Sequence, residues 1–180
     1  RGKEMERSKE SGIDFVPFKS ERFSVLLKSK YRIKYIKSSI SEIRNRDLIG
    51  FLQDVHFLYF ANNNFNLDLA GSFGFDKGQF YDNNFDVLVN GATIKIKLFI
   101  KKSIRVENTF EVFNVSDRYN NKVLPPEIFN GLTSGKTIRL NSRANMFLNK
   151  KISLILSLNF IDDFRYKNLL TFQGEIRANF

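Results

Sequence analysis

Apolar and polar residues alternate with a period of two along most of this chain, and the alternation is clearest when followed backwards from the C-terminus. Leu170, Phe172, Gly174, Ile176, Ala178 and Phe180 alternate with Thr171, Gln173, Glu175, Arg177 and Asn179. Successive side chains of a strand point to opposite faces, so such a segment has one apolar and one polar face. The same reading holds for Ile152–Phe160, Ile138–Leu148, Ile104–Val112, Ile94–Ile100 and Phe65–Phe75. It holds again where Phe23, Val25, Leu27, Tyr31, Ile33 and Tyr35 oppose Arg22, Ser24, Lys28, Lys30, Arg32 and Lys34. Phe51–Phe60 is apolar on both sides, but grouping Phe51, Val55, Phe57 and Tyr59 leaves Asp54 and His56 together on the other face. These segments predict eight strands.

Most of them run for about 9 to 13 residues, which suits tilted strands crossing a bilayer and exceeds the roughly 5–6 residues of an ordinary soluble strand. The connections point the same way. If Phe180 ends at the periplasmic side, Asn149–Lys151, Ile100–Ser103 and Ala61–Asn63 become short periplasmic turns. Asp162–Lys167, Asn114–Lys136, Asp76–Gly91 and Ile36–Ile49 become longer outer loops. Alternating short and long connections are the habit of outer-membrane barrels. Residues 1–21 then form a periplasmic lead and residues 22–180 an all-β, antiparallel, up-and-down transmembrane barrel. Ile36, Ile40 and Ile43 have helix-like spacing, so Ile36–Ile49 is alternatively a short helix or an extra strand; counting it and Ile13–Lys19 as further strands gives a ten-stranded alternative, and more strands before Arg1 would make this the C-terminal part of a larger barrel. The charged opening, Arg1 to Gly12, has no initiator Met and no apolar signal region, which predicts a processed chain or a fragment of a longer precursor.

Composition narrows the chemistry. No Cys and a single His predict no disulfide, no metal site and no cofactor. The 20 Phe and 6 Tyr favour strands. No apolar run reaches the ~20 residues of a spanning helix. The net charge of +10 suits anionic lipid or nucleic acid. A nucleic-acid module would interleave aromatics with Lys and Arg on one face, whereas here the aromatics share a face with Leu, Ile and Val, so no nucleic-acid partner is predicted. Gly131–Thr137 reads GLTSGKT, one residue too few between its glycines for a phosphate-binding loop, and strand-patterned sequence follows it.

The C-terminal segment, with Phe172, Gly174, Ile176, Ala178 and the terminal Phe180 alternating, resembles the assembly signal of bacterial outer-membrane β-barrel proteins. That resemblance implies an outer-membrane location in a Gram-negative envelope, lipid as the surrounding medium, and recognition by the barrel-assembly machinery. It identifies no subfamily. On this fold the lumen-facing charges are Lys28, Lys30, Arg32, Lys34, Lys95, Lys97, Arg105, Glu107, Glu111, Arg139, Arg143, Glu175 and Arg177. Asp54 and Asp68 add to the acidic side. An eight-stranded barrel is filled by its own side chains, so this set predicts an ion-paired plug. In a wider barrel it would favour anions. His56 beside Asp54 is the weak catalytic candidate, since a carboxylate can orient an imidazole as a general base; a structural histidine is the plainer reading, and an enzyme is not predicted. Three functions follow: a structural, anchoring or interaction barrel whose outer loops meet a ligand or an envelope protein partner; a pore or part of a transport barrel; and an outer-membrane enzyme using His56.

Overall fold

The computed structural model describes residues 4–38, 46–62, 64–80, 83–100, 103–119, 132–148, 151–163 and 165–178. Among the described residues nine strands form one antiparallel sheet in strict sequence order: β1 Glu4–Lys19, β2 Phe23–Ser38, β3 Arg46–Asn62, β4 Phe65–Phe80, β5 Asn83–Ile100, β6 Ile104–Asp117, β7 Gly135–Phe147, β8 Ile152–Asp162 and β9 Leu169–Ala178. The sheet is open, with β1 and β9 at its edges. The eight strands expected from the alternation are β2 to β9. The addition is β1: residues expected to form a lead outside the barrel pair along β2 from Glu4↔Ser38 to Lys19↔Ser24. Pro17 therefore lies inside a strand, not outside one. It sits where the register shifts between Phe15 and Phe18, on an edge strand, the setting in which a residue without an N–H is tolerated.

A second correction concerns the region from Asp76 to Gly91, which was expected to be a long loop. The β4–β5 ladder continues through it to Phe80↔Asn83, so only Tyr81 and Asp82 separate the strands. The phase of the alternation inverts here. Lys77 and Asp86 take over the face occupied by Phe73, Phe75 and Leu88, and pair with each other at 3.1 Å, while Phe85, Val87 and Val89 turn to the other face. A single-phase reading mistakes this inversion for the end of the strand. Similarly β2 runs on to Ser38 and β3 starts at Arg46, inside the expected Ile36–Ile49 loop.

The register fixes two faces. One carries an uninterrupted apolar row across all nine strands: Phe18, Val25, Phe57, Leu69, Ile94, Phe110, Leu140, Phe160 and Leu170. Two polar pairs lie on this face: Ser29 Oγ donates to Gln53 Oε1 at 2.5 Å, and Ser142 Oγ to Asn108 Oδ1 at 2.6 Å. The other face is polar and concave. Towards the end that holds the β2–β3, β4–β5 and β6–β7 connections it gathers an apolar cluster of Leu48, Phe85, Val87, Val89 and Val115, over which Leu132 folds before β7 begins. Each such fully buried side chain contributes about 1.5–3 kcal/mol. Gly91 makes room for the Phe113 ring that packs against this cluster.

Gly50 has a more specific role. Arg32, Gly50 and Asp76 lie in one row across β2, β3 and β4. With no side chain between them, the Arg32 guanidinium reaches over β3 and bonds the fully buried Asp76 carboxylate. A Cβ at Gly50 would collide with that carboxylate. Gly50→Ala should therefore lower stability by about 3 kcal/mol, near the low end of the cost of an uncompensated buried charge. Gly71→Ala, with nothing within 4 Å of the added carbon, should stay within about 0.5 kcal/mol. Denaturant titrations followed by circular dichroism measure both.

Candidate functional site

The polar face is where any chemistry would be held. Each charge predicted to line a lumen falls on it: Lys28, Lys30, Arg32 and Lys34 from β2, Lys95 and Lys97 from β5, Arg105, Glu107 and Glu111 from β6, Arg139 and Arg143 from β7, Glu175 and Arg177 from β9. Several of them stand opposite a charge of the other sign. Lys28 stands across from Asp54, Lys95 from Asp68, Lys97 from Glu107, Glu111 from Arg139 and Glu107 from Arg143. Glu107 closes an ionic cluster with Lys97 at 3.3 Å and Arg105 at 2.6 Å, and Arg105 also lies 5.5 Å from the Phe99 ring centre. Cross-strand opposition of this kind stabilises by roughly 0.2–1 kcal/mol per pair.

The basic row on β2 is further balanced from β1. Asp14 faces Lys28, and Glu10 pairs with Lys30 at 3.3 Å. These acids belong to the segment the sequence reading left outside the barrel, so the polar face is less basic than the sequence suggested. Asp76 was missed for a related reason, because it was assigned to a loop. The available signal was its parity: Ser72, Gly74, Asp76 and Gly78 continue the polar phase of β4.

His56 has a partner other than the expected one. Its Nδ1 lies 2.9 Å from Asp68 Oδ1 on β4, and Asp54, two residues away on the same strand, faces Lys28 and Ser72. Residues two apart on a strand stand about 7 Å apart side by side, whereas a diagonal neighbour across the ladder comes within reach of a long side chain. Leu52, Asp54, His56 and Asp68 share a cavity of about 330 Å³ with Lys95, Glu111 and Arg139. An adjoining cavity of about 490 Å³ continues along Glu107, Asn141 and Arg143 to Asn159. Groups from β3 and β7 meet one cavity because the sheet curls towards this face.

The terminal signal residues Phe172, Gly174, Ile176 and Ala178 lie on the apolar face of β9, opposite Leu158, Leu156, Leu154 and Ile152. Phe180 lies outside the described residues. The strand is entered through Asp163, whose Oδ1 accepts the N–H groups of Arg165 and Tyr166, both at 2.7 Å, and through Asn168 at φ 53°.

The architecture is thus an up-and-down antiparallel sheet of barrel type, curled but unclosed. Among solved structures it is similar to the translocator domain of autotransporter NalP from Neisseria meningitidis, with a TM-score of 0.42 and 13% identity over 97% of this chain and 66% of that one. The chain therefore spans about two thirds of that domain's length. No protein-family model and no curated protein matches the sequence.

The geometry makes His56 and Asp68 a coupled pair. His56→Ala and Asp68→Asn should each cost about 1–2 kcal/mol, and the double variant about as much as either alone. Asp54→Asn should add independently to His56→Ala. A double-mutant cycle on unfolding free energies distinguishes the two carboxylates.

Proposed function

We propose that this chain is a wall sector of a bacterial outer-membrane β-barrel and acts as a structural, anchoring or interaction element. The observation that carries this reading is the apolar face and its borders. Beside the β1–β2 and β3–β4 connections, Phe23 stacks on Tyr59 at 4.7 Å and Tyr59 meets Phe65 edge-on at 6.4 Å. Towards the other end, Tyr31, Phe51 and Phe75 form a second row, with the Phe51 and Phe75 rings 6.1 Å apart. Phe23 to Tyr31 and Phe51 to Tyr59 cover about 26 Å of strand, or about 20 Å of height at a tilt of ~40°. Aromatic girdles on either side of an apolar band are what a bilayer selects. Beyond the second row stands the Lys77–Asp86 pair, where the apolar band ends.

The apolar row through all nine strands supports the reading further. It crosses β2 at Val25, close to the β1–β2 connection, and β9 at Leu170, close to the β8–β9 connection at the opposite end. A band that climbs through the register in this way corresponds to strands tilted against the membrane normal. In hydrocarbon the backbone must pair internally, which the continuous ladders provide between the edges.

The polar face then looks into the lumen. Its charges oppose one another and its outer half is filled by Leu48, Phe85, Val87, Val89, Val115 and Leu132, so this sector serves as a packed wall and not as an anion-selective lining. The His56–Asp68 pair fits a structural role in that packing. An envelope partner or ligand would be met by the outer connections, since loops on a rigid scaffold are where such function sits. At biogenesis, β9 presents its apolar face to the assembly machinery.

Leu69 sits in the middle of the apolar band, 41% exposed and opposite Ile94. Leu69→Arg should destabilise the protein in phospholipid vesicles by about 2–4 kcal/mol. Ser72→Arg, on the polar face opposite Asp54, should cost less than half as much. Equal costs in a urea titration would overturn the membrane reading.

A further inference from the structure

We propose that the polar face holds a binding site for a phosphate group, centred on Thr109 of β6 between Lys95 of β5 and Arg139 and Arg143 of β7. The register assembles it. Lys95, Thr109 and Asn141 lie in one row across the three strands, and Arg139 and Arg143 stand two residues to either side of Asn141 on the same face. A short hydroxyl side chain among three long cations leaves space between them. The cavity of about 490 Å³ occupies that space, lined by Lys95, Thr109, Arg139, Asn141 and Arg143. Lys95, Thr109 and Arg139 also line the neighbouring cavity of about 330 Å³, which gives room to a small organic group attached to the phosphate. This is one site in the wall and not an anion-selective lining, and it depends on the curl of the sheet rather than on the bilayer outside it.

The charges around Thr109 do not cancel. Glu107 is already held by Lys97 at 3.3 Å and Arg105 at 2.6 Å, and Asp68, across the ladder from Lys95, is held by His56 at 2.9 Å. Glu111 is the remaining acid of the larger cavity, set against three cations. Neither Lys95 nor Arg139 forms an ion pair with a described residue, although each faces a carboxylate across the ladder. The Arg139 Nε is moreover buried with no hydrogen-bond partner among the described residues, and an unmet donor of a charged group is costlier than a neutral one. Ammonium and guanidinium groups suit phosphate oxygens, the guanidinium bidentately. A dianion balances the three cations and Glu111 to zero. Lys95, Thr109, Glu111 and Arg139 are all half-buried, where salt screens less than at an exposed surface. Glu111 adds selectivity, because an ionised carboxylate only accepts hydrogen bonds. Hydrogenphosphate, or a phosphate ester with a hydroxyl beside the phosphate, has a proton to donate to it; sulfate has none.

The test titrates the full-length protein, purified in detergent, with inorganic phosphate, a hexose phosphate and sulfate near neutral pH, read by calorimetry. Both phosphates should bind saturably with one site per chain, and the ratio of their affinities tells free phosphate from an ester as the occupant. Sulfate should bind at least about tenfold more weakly. Arg139→Gln and Lys95→Gln should each weaken phosphate binding by about tenfold or more. Lys30→Gln should leave it unchanged, since Lys30 pairs with Glu10 on β1 and lines neither cavity. Thr109→Val removes the hydroxyl at nearly constant shape, and should weaken binding a few fold even where a charge variant fails to fold. Glu111→Gln supplies a donor and should bring sulfate to within about threefold of phosphate, a reversal that a purely structural Glu111 would not produce. No saturable phosphate binding in the unmodified protein, equal binding of sulfate, or binding unmoved by the Arg139 and Lys95 variants overturns the inference. The membrane reading is tested separately at Leu69 and survives any of these results.

Discussion

The backbone ladder is the constraint on which everything else in this molecule depends. Eight adjacent pairings run through nine strands without a break in their order, and a sheet of that kind has two surfaces with nothing between them but backbone. Whatever environment each surface meets must therefore be written into alternate residues of every strand. One surface carries an apolar band with aromatic borders, within which Ser29 pairs with Gln53 and Ser142 with Asn108. The other has become a mosaic of opposed charges with an apolar patch at one end. Neither property belongs to a single strand; each appears only when the register places the strands side by side.

That dependence explains which parts of the fold were legible in the sequence. β2 and β4 to β9 were readable because their central portions keep one phase of alternation, and the register puts the charges read from that phase on a single polar face. β1 was readable only in part, through Ile13–Lys19, the further strand of the ten-stranded alternative. Its first half carries Arg7, Lys9 and Glu10 in both phases, and the second half contains Pro17, so the sequence resembles a polar leader. The same is true of the far ends of β4 and β5, where the strands outrun the apolar band and the phase inverts. Gly, Asp and Asn there suggested turns, yet they are residues with a sheet neighbour. Sequence periodicity detects a strand through its environment, and where the environment changes along a strand the signal cancels.

The candidate site shows the complementary limit. Sequence proximity put His56 with Asp54, because both lie on one face of one strand. The ladder supplies a nearer carboxylate from the next strand, and no property of residues 51–60 alone could name it. Likewise the balance of the β2 cations depends on Glu10 and Asp14 being beside them. Charge counts taken over the strands that were recognised overstated the positive character of the face, since the missing strand carried part of the compensation.

The Arg32–Asp76 bond over Gly50 bears on how such a sheet finds its alignment. Sliding one strand past its neighbour by two residues keeps every apolar side chain outward and every polar one inward, so alternation cannot forbid it. Such a slip would carry Arg32 and Asp76 away from the one gap through which they meet and bring the charged groups against side chains. The glycine thus works as a keyhole. It admits one alignment of three strands out of a ladder of otherwise equivalent ones, and the discrimination comes from the absence of a side chain.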